Sequence, residues 1–375
     1  MRSSIARTAS LLVAFLSVAF LGASGVASAH VRYVVDRGAA VEALRFLVET
    51  LSNPFNLFVL GAGAVGLLAA LGAYLWVRPL GRDVDAVRGA LAGYDDLLPW
   101  LFRLSLGLPL VGAGFNGYYF SPLVHAEAFA PAFGDLSGVF VRLFGLAVGF
   151  LLLFGLATRL VALVGLAAYL AGVVAFPALL LAFEYVPGFV AIALLGGGRP
   201  SADDLIAAVA ADERTAYSRV DPVYRRLAVP LGERIEPYTA FVPTVVRVGL
   251  GLAFAYLGLV EKLMNPGVAL AVVAKYDLTA VVPVGPELWV VGAGLVEILV
   301  GVMLVLGLFT RAFSAVAFLL LTTTLFGLPD DPVLAHVSLF GLTSALLITG
   351  AGPFSVDGWL HETIAGRRAV AAETD

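Results

Sequence analysis

Glu297 is a carboxylate that lies deep inside an apolar run of the sequence. It sits about nine residues into the predicted span Leu288–Phe309, near the middle of a hydrocarbon layer about 30 Å thick. An ionised carboxylate at that depth costs roughly 2.5 kcal/mol or more, so it needs a partner or a proton. Glu297 is therefore the candidate proton-handling residue. The alternative is a protonated side chain that only hydrogen-bonds a neighbouring helix.

Three more candidate catalytic residues lie where predicted spans meet the outer surface. Glu261 and Lys262 are near the outer end of one span, and His336 begins the last one. Because Lys can extend its ammonium to water while Glu pairs with it, a plain interfacial role is the alternative for this pair. Aligning the two halves of the chain puts Glu184 opposite His336.

No metal site is predicted, although His30 and His125 are candidates for one. Both are predicted to lie outside with Glu127, and imidazole and carboxylate groups bind metals or relay protons. Only His336 lies clearly within a span, so two facing haem ligands are not expected. The chain has no cysteine, which excludes iron–sulfur clusters, covalently attached haem and thiolate metal sites. Of the redox cofactors considered, a quinone is the one that these observations do not exclude.

The elements that position these residues are predicted to be membrane helices. Of 375 residues, 60% are hydrophobic and 13% are charged, against roughly 25% charged in a soluble domain. The sequence therefore predicts an all-α fold, a polytopic transmembrane helical bundle of about nine spans in a lipid bilayer. Val186–Leu195 is short enough to be re-entrant instead. The predicted spans are Phe55–Val77, Leu97–Tyr118, Val139–Leu156, Leu160–Phe183, Val186–Leu195, Val245–Met264, Leu288–Phe309, Ala312–Gly327 and Val333–Thr349.

Charge and leader sequence predict how the chain is oriented. Residues 1–29 have a basic start, an apolar stretch and the small residues Ala27, Ser28 and Ala29, which is typical of a secretory signal peptide or an uncleaved signal anchor. Arginines concentrate in alternate loops, so the positive-inside rule predicts a cell-membrane protein with its mature N-terminus outside and its C-terminus cytoplasmic. The net charge of −4 and the lack of a basic patch exclude nucleic acid as an expected partner.

The chain contains an internal similarity that predicts a duplication. Residues 149–159 and 301–311 share Gly, Leu, Gly, Leu, Thr and Arg at the same places. Upstream, residues 103–108 pair with 247–252, and downstream, residues 196–203 pair with 350–357. Each copy is a predicted four-helix unit, and both copies have the same orientation. The fold prediction is thus two parallel-oriented four-helix repeats plus one N-terminal span.

The second copy resembles the DoxX family of small four-helix membrane proteins. The residues that carry the resemblance are Arg247, Gly251, Gly258, Glu261, Lys262, Pro266, the segments 297–301 and 307–311, His336, and the segment 350–357. The corresponding division is 1–29 signal, 30–97 outer segment with first span and cytoplasmic loop, 98–205 degenerate DoxX-like repeat, 206–243 cytoplasmic linker, 244–360 DoxX-like repeat, and 361–375 cytoplasmic tail.

The resemblance implies a role beside membrane redox chemistry. Relatives of the DoxD subunit of thiosulfate:quinone oxidoreductase are linked to quinone-coupled sulfur oxidation. This implies an accessory or quinone-interacting subunit of a membrane redox complex, with quinone and redox subunits as partners. A small-molecule or metal-ion transporter and a structural anchor for partner proteins are the alternatives. The first copy departs from the pattern, with Gly117, Tyr118 and Gly145 in place of Glu261, Lys262 and Glu297, so it is expected to be scaffold.

Overall fold

The computed structural model describes residues 37–77, 81–220, 226, 228–328 and 333–360. The predicted signal segment 1–29, His30 and the tail 361–375 lie outside these residues. The described chain is almost entirely helical. Its helices are α1 (Arg37–Ser52), α2 (Pro54–Val77), α3 (Gly81–Ala92), α4 (Leu98–Asn116), α5 (Ala130–Phe133), α6 (Ser137–Phe154), α7 (Thr158–Ala175), α8 (Tyr185–Leu195), α9 (Ala202–Ala211), α10 (Ala216–Val220), α11 (Val229–Ile235), α12 (Val242–Tyr256), α13 (Pro266–Lys275), α14 (Leu278–Val281), α15 (Pro286–Leu306), α16 (Thr310–Gly327) and α17 (Val333–Thr349).

The all-α, multi-pass prediction is confirmed. Seven helical segments of the described chain are long and apolar enough to cross a membrane, and shorter apolar helices include Tyr185–Leu195 and His336–Thr349. In the first long segment, Pro54–Tyr74, no residue is buried inside the described structure, so its apolar side chains are left for lipid or a partner. Length and composition thus place the chain in the bilayer.

A short hairpin that the sequence did not indicate interrupts the helices. The span expected to run to Tyr118 ends at Asn116, where Gly117 adopts a left-handed conformation with φ 75°. Strand β1 (Tyr118–Tyr119) then pairs antiparallel with β2 (Ser121–His125). Tyr119 donates a hydrogen bond to the carbonyl oxygen of Ala168 at 2.8 Å, and burial raises the pKa of its phenol to about 12. The hairpin therefore closes one end of the neighbouring helices.

Two sets of four helices make up the bundle. The first unit contains α4, α6, α7 and α8, and the second contains α12, α15, α16 and α17. In each unit the first two helices meet through glycines, which permit close backbone approach in lipid. A Cβ atom on Gly149 would lie 2.9 Å from the Gly107 carbonyl oxygen, and one on Gly301 would lie 2.5 Å from that of Gly251. Packing is thus the role of these glycines, as their spacing predicts.

The short helix α8 completes a crossing together with the segment before it. Its 11 residues span only about 17 Å, but the 3₁₀ helix Pro177–Ala182 precedes it. Arg159, at the start of α7, donates hydrogen bonds to the carbonyl oxygens of Ala193 and Leu194, at the end of α8. The end of α8 therefore returns to the level at which α7 began, as expected of a crossing segment rather than a re-entrant one.

A buried arginine closes one end of each unit by donating hydrogen bonds to backbone carbonyl oxygens, an arrangement that we call the clasp. Arg103 is 2% exposed and donates to carbonyl oxygens of Leu152, Leu153, Gly197 and Pro200. Arg247 is 1% exposed and donates to those of Leu304, Val305 and Phe354. These cations satisfy carbonyl groups that a helix C-terminus leaves without partners. The two arginines stabilise the fold from inside the bundle.

An aspartate completes each clasp by capping the third helix of its unit. The Asp203 carboxylate accepts from the backbone N–H groups of Ala157 and Thr158, and from the Thr158 hydroxyl at 2.6 Å. In the second unit Asp357 accepts from the backbone N–H groups of Phe309 and Thr310, at 2.8 and 3.0 Å. Carboxylates favour helix N-termini, where N–H groups lack partners. The aspartate that ends each Ser-x-Asp sequence thus has the same capping role in both units.

The two units pack against each other through reciprocal contacts. Helix α4 of the first unit packs on α17 of the second, and α12 of the second packs on α8 of the first. Ser105 on α4 faces Gly341, and Gly249 on α12 faces Pro187. Between the same two units, the Ser338 hydroxyl of α17 donates a hydrogen bond to the Glu184 carboxylate.

Candidate functional site

Two of the candidate residues lie on a π-helix. After α12, residues Leu257–Leu263 form π-helical turns that carry Glu261 and Lys262. The equivalent part of the first unit is the end of α4 and the hairpin. Widened turns of this kind are uncommon and frequently lie at functional sites, because they redirect side chains from the regular helical path.

Lys262 and Glu297 form an ion pair between the π-helix and α15. Lys262 Nζ lies 3.1 Å from Glu297 Oε1 and 3.7 Å from Glu261 Oε2. The side chains of Lys262 and Glu297 are 23% and 20% exposed, whereas that of Glu261 is 45% exposed. Lys262 is thus turned toward the bundle instead of extending freely to the surface. The partner that Glu297 needs at this depth is provided by its own chain.

One oxygen of this pair has no partner. Glu297 Oε2 is buried and accepts no hydrogen bond from the described residues. The Lys262 ammonium carries donors only, and its nitrogen lies within 4.0 Å of both carboxylates. With all three side chains ionised, the cluster also holds one negative charge in excess. Glu297 Oε2 is therefore an unsatisfied acceptor in a cluster that can take up a proton.

Small residues allow the site to form. A Cβ atom on Gly258 would lie 2.6 Å from the Gly294 carbonyl oxygen and 2.9 Å from the Glu297 Cβ atom. Helix α13 packs against both the π-helix and α15, covering this region from the side. The close contact between the two helices brings the Lys262 ammonium within reach of a carboxylate on the other helix.

The first unit lacks this arrangement. Gly145 takes the place of Glu297 there, and a Cβ atom on it would lie 2.9 Å from Gly114 Cα. The basic residue on the second helix, Arg142, instead donates to the carbonyl oxygen of Phe115 at the end of α4. Among the described residues Arg142 forms no ion pair with a carboxylate, and it caps the C-terminal end of α4 instead.

Glu184 is a buried acid that sequence reasoning missed. It is 5% exposed, and the Ser338 hydroxyl donates a hydrogen bond to its Oε1 at 3.1 Å. His336, one of the four catalytic candidates, lies two residues before Ser338 and is 8% exposed. The ion pairs of the Lys262 cluster involve Glu261 and Glu297, whereas His336 lies on a different helix, α17. Glu184 looked like a residue at the end of a span, because the helix breaks there.

The candidate metal residues are not brought together in the described structure. His125 lies at the end of β2 and packs edge-on against the Tyr118 ring, with ring centroids 4.8 Å apart. His30 is outside the described residues. Within the described residues no group of three or more His, Asp or Glu side chains is placed to hold a metal ion.

Comparison with protein families places the Lys262 cluster in a known type of domain. Residues 242–330 match the family model DoxX. The second unit carries a DoxX domain. The matched region begins with α12 and extends through the π-helix, α15 and α16, so it contains Glu261, Lys262 and Glu297. His336 lies beyond its end.

The chain is therefore a multi-pass membrane protein with a DoxX domain in its second half. No curated protein and no solved structure matches it. The DoxX match does not cover the first unit, whose likeness to the second rests on the clasp and on the reciprocal contacts.

Proposed function

We propose that this chain is a quinone-interacting subunit of a membrane redox complex, with its site at Lys262 and Glu297. One observation carries the proposal: Lys262 Nζ lies 3.1 Å from Glu297 Oε1, while Glu297 Oε2 is buried without a partner among the residues that the structure describes. Ionisable groups inside a membrane bundle commonly mark proton or substrate pathways. The resemblance to DoxD-type proteins points to a sulfur-linked complex.

The two side chains match the chemistry of a quinone head group. A quinone carbonyl accepts a hydrogen bond, which the Lys262 ammonium can donate. A quinol hydroxyl donates one, which Glu297 Oε2 accepts. Reduction of a quinone to a quinol takes up two electrons and two protons, and in this proposal Glu297 takes up both protons from water, one after the other, and passes each to a quinone oxygen. The electrons come from a redox partner subunit, because this chain has no cysteine to ligate a cluster.

We infer in addition that the two units descend from a duplicated segment and that only the second retains a site. The matched clasps of Asp203 and Asp357 support the common origin. Gly145 in place of Glu297 supports the loss of chemistry in the first unit. One quinone is then bound per chain.

The test is quinone binding to the full chain in detergent or lipid nanodiscs, using a short-tailed quinone. Glu297→Gln removes the charge but keeps the shape, and Glu127→Gln is the matched control on the exposed outer segment. Because hydrogen bonds to charged groups contribute about 1.5–3 kcal/mol, Glu297→Gln should weaken binding about ten- to a hundredfold. Full affinity in a normally assembled Glu297→Gln protein would refute the proposal. Substrate-dependent flux in proteoliposomes without quinone binding would favour the transporter instead.

The proposed orientation places the clasps and the connector between the units in the cytoplasm. Its basis is the concentration of arginines in these loops. A single cysteine at Ala208 tests it, because that residue is exposed on α9 while Ala210 is 1% exposed. The probe should react with an impermeant reagent only after the membrane is opened. Labelling of this cysteine in intact cells would show that the orientation is the opposite of the one proposed.

A further inference from the structure

A cavity lies on the outside of the first unit, away from the Lys262 cluster. Its volume is 250 Å³, and it is bounded by α7, α8 and the connector helix α11. Apolar side chains line it, among them Leu163, Leu166, Ala193 and Leu231, and one charged residue, Arg159, is part of the wall. Sites for ring-based ligands usually measure about 300–1,000 Å³, so this cavity suits a narrower occupant.

Arg159 places a cation at one end of this apolar space. Its Nε and Nη2 atoms donate to the carbonyl oxygens of Ala193 and Leu194, at 3.2 and 3.3 Å. A Cβ atom on Gly232 of α11 would lie 3.2 Å from Nη1, so the third nitrogen points toward the connector. The nearby carboxylate of Asp203 is engaged in capping α7. The guanidinium is therefore fixed beside the cavity with one nitrogen directed toward its rim.

We propose that this cavity, which we call the Arg159 groove, holds one acyl chain of an anionic phospholipid whose phosphate binds Arg159. The lining matches a hydrocarbon chain, and the guanidinium matches a phosphate. Arg159 lies at the end of the bundle that the charge distribution predicts to be cytoplasmic, where anionic lipids are concentrated. Basic pockets between membrane helices on that side are known to bind anionic head groups.

Arg311 of the second unit provides a control. It makes the contacts equivalent to those of Arg159, donating to the carbonyl oxygens of Leu347 and Ile348 at 2.9 and 2.8 Å. Leu231 and Ile235, which complete the wall of the Arg159 groove, belong to the connector that follows the first unit. Removing either arginine costs the same helix-capping contacts, but only the loss of Arg159 should affect lipid.

The experiment measures lipid retained by the full chain after extraction from nanodiscs that contain equal amounts of phosphatidylglycerol and phosphatidylcholine with identical acyl chains. Native mass spectrometry counts the bound lipids. Wild-type protein and Arg311→Gln should retain phosphatidylglycerol preferentially. Arg159→Gln should lower that retention by about fivefold, the effect of one basic contact to an anionic head group. Ala193→Phe, which fills the groove without changing charge, should also lower it.

Three results would overturn the proposal. Equal retention of both lipids would show that the site does not select an anionic head group. Undiminished retention in Arg159→Gln or, where that variant does not assemble, in Ala193→Phe would place the lipid elsewhere. Displacement of the lipid by inorganic phosphate alone at millimolar concentration would show an anion site that needs no acyl chain.

Discussion

Glu184, immediately before α8, accepts a hydrogen bond from Ser338 on α17, with 3.1 Å between Oε1 and Oγ. The contact joins the first unit to the second. A carboxyl group that is 5% exposed is expensive to leave without a donor. This contact therefore makes the association of the units specific.

Ser338→Ala tests the importance of that contact. Loss of the donor leaves a buried carboxyl group poorly satisfied, so we expect the free energy of unfolding to fall by about 1–3 kcal/mol. The control is Ser344→Ala on the same helix, because Ser344 donates only within its own helix, to the Phe340 carbonyl oxygen. Thermal unfolding in detergent measures both. Equal stability of the two variants would show that the contact is incidental.

The capping aspartates give a prediction that compares the two units directly. Asp203→Asn and Asp357→Asn each weaken a charge-assisted cap, at an expected cost of about 0.5–2 kcal/mol. The two losses should be similar, because the two carboxylates accept from equivalent backbone N–H groups. Asp204→Asn is the control, since Asp204 pairs with the exposed Arg199 and should cost less than about 1 kcal/mol. A large loss in only one unit would argue against their equivalence.

Sequence patterns predicted the helices, because these depend on local hydropathy. The sequence did not predict that Lys262 pairs with Glu297. Lys262 lies on a π-helix, and the periodicity of an apolar segment does not distinguish π from α turns. The recurring Thr-Arg and Ser-x-Asp sequences are evident in the sequence, but their contact is not. The hydrogen bond from Thr158 to Asp203 joins residues that α7 and α8 separate along the chain. Only the fold brings such residues together.

The burial of Glu184 escaped prediction for a related reason. It follows a 3₁₀ helix and directly precedes α8, so hydropathy marks the position as the end of a span. Its surroundings are set by α17 of the other unit, far along the chain. A residue at such a contact cannot be classified from its own neighbours in sequence.

A double-substitution cycle separates structure from chemistry at the Lys262 cluster. Lys262→Met alone leaves Glu297 charged and without its partner, and breaking a buried pair in this way costs about 3–5 kcal/mol. Replacing both residues, as Lys262→Met with Glu297→Leu, removes the buried charges together and should recover much of that stability. Quinone binding should be lost in both proteins. Unfolding and binding measured on the same samples test this, and a double variant that binds quinone normally would contradict the assignment.

Transfer of the acid to the first unit should fail for a steric reason. Gly145 packs against the backbone of α4, where a Cβ atom would meet Gly114 Cα and the Leu110 carbonyl oxygen, each at 2.9 Å. In the second unit Glu297 fits at the equivalent place beside π-helical turns, which α4 lacks. We therefore expect Gly145→Glu to separate α4 from α6 and to lower stability by about 1–3 kcal/mol or more, without creating a second quinone site.

Gly138→Glu, on the same helix, is the control, because a Cβ atom there meets nothing within 4 Å. Because Gly138 is in the first turn of α6, a carboxylate there is also favoured by the helix N-terminus. Expression, unfolding and the number of quinones bound per chain distinguish the outcomes. A stable Gly145→Glu protein that binds two quinones would show that the carboxylate alone, and not the π-helix with its lysine, defines the site.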